Sequence, residues 1–561
     1  MFIEPVFGKK FFGREEVLGT LQKRVTALKG GYRQNLALAG PMLAGKSSIL
    51  RHFLKNIKDS DVIPLYIELD GGNFHVFCRR FMATLLYRYL KASGRLAEMN
   101  RMAEFRGVKR TQGDDKEFAM LKEECRSLIP DTVKCVDRIE KSLKQKKDNS
   151  AYEQLLSLTS VFKAETGKGC IVIFDEFQNL ADFPLKKPFQ VFGKFIMVQK
   201  NTMYIVSSSQ KTLLRDILAR KLSLLFGNFE VIEINGFDNQ TSRSFIADKV
   251  KGTAASEGMI NYIIQVSQGS PFYIEVLSKR FSDLLKHAQA LRGEEECLLD
   301  TFAELLYGSD GVLNQYFTNN INFFLEKKNR KKFIPVLESL ARGNSTIKEI
   351  QKDMGKQDKE LGNRLQKLQE MDLVLNSGTF YTISDKLFEY WIRHVFTLKA
   401  QSMIDDMDIK YLEFKNAVLE DLRNYREFSS KSVETVVSEL FSAFGGEKVK
   451  IDINCRKMPK FDSVKRRSLS DNVFQITGMT GGRKWICHVK KGDIVDERDV
   501  SNLARIKDGK DDPKISRKIF ISLKGIEQNA YLLAKDQNLW VWDANKLNSI
   551  LRLFGKFELV S

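Results

Sequence analysis

Cysteine is scarce and scattered in this sequence: seven in 561 residues, with no C-x-x-C pair, alongside five histidines that form no ligand-spaced cluster. That argues against a structural zinc site and a disulfide framework, and makes a reducing cytoplasm the expected compartment. No apolar run approaches the roughly 18–20 residues of a membrane-spanning helix. The opening Met1-Phe2-Ile3-Glu4-Pro5 lacks the basic and apolar regions of a signal peptide. No membrane partner is expected. Acidic residues are in deficit as well: 90 Lys+Arg against 71 Asp+Glu leave a net charge of +19. Such a surplus draws polyanions through counterion release, and it equally describes a solvated lysine-rich surface. With 43% hydrophobic residues the chain has core material for three or four globular domains.

What is present is sharper. Gly40-Pro41-Met42-Leu43-Ala44-Gly45-Lys46-Ser47-Ser48 lies between the apolar run Leu36 to Ala39 and a helix-like segment. Its spacing is that of the P-loop, whose backbone N–H groups form an anion nest at a helix N-terminus. These nine residues are the expected cradle for ATP. Lys46 would reach the outer phosphates and the Ser47 hydroxyl would hold Mg²⁺.

Further on, the continuous apolar run Cys170 to Phe174 reads as a strand buried on both faces and ends in Asp175-Glu176-Phe177-Gln178. Asp175 is expected in the Mg²⁺ shell, with Glu176 deprotonating the attacking water. Another apolar strand, Met203 to Val206, ends in Ser207-Ser208-Ser209-Gln210. There Ser208 either senses the γ-phosphate or belongs to a loop capping the next helix. Between these elements, residues 107–149 read as a charged helical insertion with little apolar periodicity. Gly269-Ser270-Pro271 breaks one helix and starts another.

Gly13-Arg14-Glu15, the P-loop, Asp175-Glu176-Phe177-Gln178 and Gly269-Ser270-Pro271 occur in an order that resembles archaeal-type ATPases of the STAND group, related to AAA+ proteins. The resemblance spans roughly residues 1–400. It implies an ATPase core, a helical lid whose turn brings Pro271 to the nucleotide, a winged helix, and action as a nucleotide-gated switch. One departure is Gly227-Asn228, where such proteins tend to carry Gly-Arg. If that arginine assists hydrolysis, the departure implies either slow turnover or recruitment of Arg215 or Arg220 instead.

From Lys331 to Phe396 the pattern is helix, short helix, helix and hairpin, with Lys359, Asn363, Arg364 and Lys367 on the third helix. After Ser429 the order α-β-β-β-α-β-α-β resembles restriction-endonuclease-like domains of the PD-(D/E)xK class. The resemblance implies a metal-bound centre of Glu434, Asp471 and His488 with Lys490 as the catalytic lysine. His488 stands where an acid is expected, and imidazole brings no negative charge to a hard cation. Asp471 and Lys490 are the expected catalytic pair if the domain cleaves.

The expected fold class is therefore a multidomain α/β protein. A P-loop parallel-sheet core (1–235) is followed by a helical lid (236–325), a winged helix (326–400), a connector (401–428) and an endonuclease-like domain (429–561). Two functional readings stay open: an ATP-hydrolysing switch that acts on DNA through a divergent nuclease, and a nucleotide-gated DNA- or protein-binding scaffold with an inactive one. Both leave room for a homo-oligomer or a protein partner.

Overall fold

The computed structural model describes residues 4–57, 61–95, 114–222, 227, 229–287, 292–325, 327–355, 358–401, 407–451, 454–508 and 512–559. They form two compact units, Met1–Gly236 with Ser270–Phe272, and Phe237–Gly269 with Tyr273–Ser561.

The first unit is built on a five-stranded parallel sheet of β1 (Asn35–Ala39), β2 (Val62–Glu68), β3 (Gly169–Asp175), β4 (Thr202–Ser208) and β5 (Phe229–Glu233), in the order β2-β3-β4-β1-β5. All residues of β1, β3 and β4 are buried, because helices cover both faces. On one face Leu36, Leu38, Ile171, Ile173 and Ile205 pack with Leu21, Ile49 and Phe53 of the flanking helices. On the other, Phe174, Tyr204 and Val206 join a large aromatic core. Since all five strands are parallel, their carboxyl ends, Ala39, Glu68, Asp175, Ser208 and Glu233, line one edge.

The segment read as a charged helical insertion is helical where described, and the expectation of little apolar periodicity is what the structure corrects. Residues 107–113 lie outside the described residues, but helices Asp114–Arg126 and Pro130–Lys144 bury Phe118, Leu121, Cys125, Val133, Val136, Ile139 and Leu143 in that large core. Their apolar positions recur at helical spacing beneath a charged outer face, and the density of charge hid the stripe.

In the second unit, helices Asn239–Val250, Glu257–Ser267, Glu294–Phe302 and Val312–Phe324 precede three helices, Lys327–Ala341, Ile347–Asp353 and Leu361–Glu370. The hairpin β6 (Val374–Ser377) and β7 (Phe380–Ile383) follows. Thr346 and Glu349 close a reciprocal capping box on the middle helix. Helix Val433–Ala443 then leads to a small hairpin, β8 (Lys448–Ile451) with β9 (Asn454–Lys457).

A mixed sheet follows, β10 (Ser463–Ser468), β11 (Val473–Thr480), β12 (Arg483–Lys490), β13 (Lys514–Ser522) and β14 (Trp540–Asp543), paired in that order. Two expectations change here. The first strand of the expected order α-β-β-β-α-β-α-β, Lys448–Ile451, belongs to the separate hairpin, and edge strand β10 is one that order did not include. All but one of the six β10 residues are exposed, so no alternation of burial marked it.

Two outcomes are expected. Ile139→Ala lowers unfolding stability by about 2–4 kcal/mol, as for a core side chain; a loss under ~0.5 kcal/mol would return the helix to a surface insertion. His394 is held down to about 4 by burial, with Arg393 adding to the shift. A depressed histidine stays neutral in the fold while the unfolded chain gains a proton below about pH 6.5. Stability contributed by this group is therefore present above pH 6.5 and lost as pH falls towards 4. Chemical denaturation of wild type and His394→Gln at pH 7 and 4 should show the wild type losing more, by up to roughly 3 kcal/mol.

Candidate functional site

The loop from Gly40 to Ser47 is shaped by two glycines. A Cβ on Gly40 would stand 2.4 Å from the Ile234 carbonyl oxygen, because the chain leaving β5 crosses directly over the loop. Gly45 has φ +92°, which a side chain disfavours, and Leu43 is held at φ +63° without that excuse. Met42 is exposed and Ala44 buried. The Ala44 carbonyl accepts from Arg14 Nη2 at 3.2 Å, and the same nitrogen donates to Asn235 O at 2.5 Å. Ser48 Oγ accepts from the Val6 amide at 3.0 Å, so it is engaged by the N-terminal segment.

Lys46 begins the helix Lys46–Asn56 and is 5% exposed. Its Nζ donates to the carbonyls of Gly40 and Pro41, each at 2.9 Å. Burial lowers its pKa, opposed by the charges of Glu176 and Asp175 and assisted by Lys211. A buried ammonium on neutral carbonyls is a site that an anion stabilises.

Asp175, at the end of β3 and 2% exposed, is the centre of the arrangement. Oδ2 accepts from Ser47 Oγ at 2.6 Å and from the Tyr66 hydroxyl. Oδ1 accepts from Ser207 Oγ and, at 3.1 Å, from the Glu176 amide. Burial first, and then Asp175, keep the Tyr66 phenol protonated as a donor. Next along, Glu176 sits at φ +53°. Its Oε2 accepts from Ser209 N at 3.1 Å, Ser209 Oγ at 2.7 Å and Gln178 Nε2 at 2.7 Å. Among the described residues Oε1 accepts no bond.

The edge of the sheet thus brings together the P-loop, Asp175 and Glu176. Ser208 is different: it is fully buried, and its hydroxyl bonds the Gln210 backbone in a local turn. Its neighbours Ser207 and Ser209 make the contacts to Asp175 and Glu176. Alternation along β4 separates them, and nothing in the serine triplet marked which would face the carboxylates. Tyr66 likewise carried no signal in sequence. Pro271 opens helix Pro271–His287, and among the described residues no hydrogen bond joins it to the P-loop. Asn228 lies outside the described residues. Arg215 pairs with Glu233, and Arg220 with Asp216 at 2.9 Å.

The donors suit the expected ligands. A hydroxyl and a carboxylate oxygen side by side, Ser47 and Asp175, form a hard oxygen set of the kind Mg²⁺ takes alongside phosphate oxygens.

The four residues singled out in the C-terminal sheet do not converge. Lys490 Nζ donates to Asp499 Oδ2 at 2.6 Å and to the Ile494 carbonyl at 3.1 Å. His488 shares a hydrogen bond with Gln475 Oε1 at 3.1 Å, and burial pushes its pKa down to about 4. Glu434 pairs with Lys491. Alternation puts Lys491 on the face opposite His488 and Lys490. Asp471 is exposed in the turn between β10 and β11. Among the described residues no group of three or more His, Cys, Asp or Glu is placed to hold a metal. On the third helix of the preceding triplet, Arg364 pairs with Asp358 at 2.7 Å.

Gly40→Ala is expected to abolish nucleotide binding without unfolding the chain, since the new methyl collides with the Ile234 carbonyl and distorts the loop. Fluorescent-nucleotide titration with a parallel thermal melt measures this; wild-type affinity in the variant would show that the loop tolerates the displacement.

Residues 10–187 match the AAA ATPase domain family (AAA_16). No curated protein matches the chain. Among solved structures, a Walker-type ATPase of Pyrococcus abyssi is 16% identical, with TM-score 0.43, over 69% of this chain and 97% of that one. The Aeropyrum pernix ORC2 protein, in its ADPNP–ADP complexes, is 10% identical with TM-score 0.40, over 75% and 98%. The Aeropyrum pernix ORC1 protein in complex with DNA is 12% identical with TM-score 0.36, over 68% and 92%. The family match thus covers about a third of the chain, the segment that holds Gly40–Ser47, Asp175 and Glu176.

Proposed function

We propose that the protein is an ATP-binding, Mg²⁺-dependent NTP-hydrolysing switch that acts on DNA, and that its C-terminal domain is a non-cleaving, endonuclease-like binding module. The observation that carries the first part is the Ser47–Asp175 hydrogen bond, which joins the P-loop to the end of β3 at the carboxyl edge of a parallel sheet. The chemistry that Mg²⁺ would supply here is neutralisation of charge on the nucleotide phosphates. Ser47 Oγ and Asp175, whose orientation Tyr66 and Ser207 fix, would hold the ion. Lys46 binds the outer phosphates, exchanging two carbonyl partners for anionic oxygens. Glu176 takes the proton of the attacking water on Oε1, while Ser209 and Gln178 hold Oε2. Arg14 braces the loop from behind through Ala44.

In the C-terminal domain, the scaffold reading is favoured by the pairing of Lys490. A lysine neutralised by Asp499, with Glu434 on the other sheet face, has no metal-bound phosphate centre to serve. The three helices and hairpin of residues 327–383 have the order of a winged helix, and the surplus of positive charge supports a polyanionic partner.

Lys46→Ala should lose ATP binding, whereas Glu176→Gln should bind ATP normally and hydrolyse it at least about a hundredfold more slowly. Normal turnover by Glu176→Gln would remove Glu176 as the base. Plasmid incubated with ATP and Mg²⁺ or Mn²⁺ should show no nicking that Lys490→Ala abolishes; nicking lost in that variant would restore the nuclease reading.

A further inference from the structure

A second cationic site stands at the end of the C-terminal sheet remote from Lys490. On β12 and β13, Trp485 pairs with Arg517 near one end, whereas Lys490 pairs with Ser522 at the other. Ile519, two residues after Arg517, pairs with Trp540 of β14, so Trp485, Arg517 and Trp540 share one face. Trp485 meets Trp540 edge-on, with ring centres 5.2 Å apart, which fixes the indole plane. Onto that indole converge two guanidiniums: Arg517 at 4.4 Å from the ring centre and Arg456, from β9, at 4.3 Å.

Arg517 carries its charge beside a second cation. Among the described residues no carboxylate forms an ion pair with Arg517. Burial lowers its pKa, and the charge of Arg456 adds to the shift. On the outer side of the same hairpin, Lys448 stands directly opposite Lys457, with Lys450 beside it, all exposed. Like charges directly across a strand pair destabilise it unless an anion covers them. Guanidiniums held against an aromatic ring lose few degrees of freedom on binding and present N–H forks that match phosphate oxygens. The chemistry selects a phosphate and ignores sequence.

We propose that Arg456 and Arg517, held on Trp540, form a phosphate clamp for the backbone of duplex DNA, at the opposite end of the sheet from Lys490. This rests on the DNA-directed reading above and adds to it where the backbone is gripped: at a site that works whether or not the domain cuts.

The test is the salt dependence of binding to a labelled duplex by the full-length protein. Arg456→Gln/Arg517→Gln should weaken binding about tenfold or more at moderate salt and flatten the plot of log K against log salt by about 1–2, since each phosphate contact contributes about 0.9. Lys134→Gln/Lys141→Gln, which removes two exposed charges from the first unit, should leave both unchanged. Arg456→Lys/Arg517→Lys keeps the charge and loses the fork, so it should retain most of the slope while losing affinity. This variant also decides the matter if the glutamine pair melts early. A wild-type slope and affinity in a natively folded glutamine variant, or an equal loss in the first-unit lysine variant, would overturn the clamp and leave DNA binding standing. Failure of the wild type to bind duplex at low salt would overturn the DNA reading itself, and the clamp with it.

Discussion

One buried carboxylate organises the nucleotide half of this protein. Asp175 is almost wholly removed from water, and an isolated charge there would be prohibitive. It is tolerated because four donors converge on it, from the P-loop helix, from β2, from β4 and from the next residue's amide. Each comes from a different segment, so the carboxylate does more than hold a metal. It fixes the P-loop to the sheet edge and sets where Glu176 begins its left-handed turn. The surrounding aromatic and aliphatic core supplies the low dielectric that makes those four bonds strong and the loss of any one costly.

The contrast between two lysines separates the two halves of the chain. Among the described residues Lys46 donates only to neutral carbonyls, with the charges of Glu176 and Asp175 nearby, so an approaching phosphate has no carboxylate partner to displace from its Nζ. Lys490 is already neutralised by Asp499 and held by a backbone carbonyl. An anion reaching it must first displace a carboxylate. The same residue type, each placed at the end of a sheet, is thereby poised in one unit and spent in the other.

Much of the first site was legible in sequence because its chemistry depends on residues adjacent in the chain. The spacing of Gly40, Gly45, Lys46 and Ser47 specifies a loop, and the apolar run ending at Asp175-Glu176 specifies a buried strand with carboxylates at its edge. Partners contributed by other strands were not legible. Ser207 and Ser209 sit in a triplet whose members are equivalent until strand alternation sorts them, and Tyr66 looks like any apolar strand position. The charged stretch before Asn149 misled for the opposite reason, since its buried stripe is spread one residue in three or four beneath a dense charged surface.

The C-terminal sheet shows the limit more plainly. Element order and residue types at Asp471, His488 and Lys490 suggested a metal centre, yet side-chain direction is a matter of register and parity. A single residue's shift sends Glu434's partner to Lys491 rather than Lys490. By itself the sequence determined what is local: the P-loop, the strand that ends in Asp175 and Glu176, and the excess of positive charge. Only the tertiary structure decided which hydroxyls clamp Asp175, that Lys490 is neutralised, and that Arg456 and Arg517 share one indole. Those contacts join residues from nine to more than a hundred positions apart, and no local pattern carries the information that places them together.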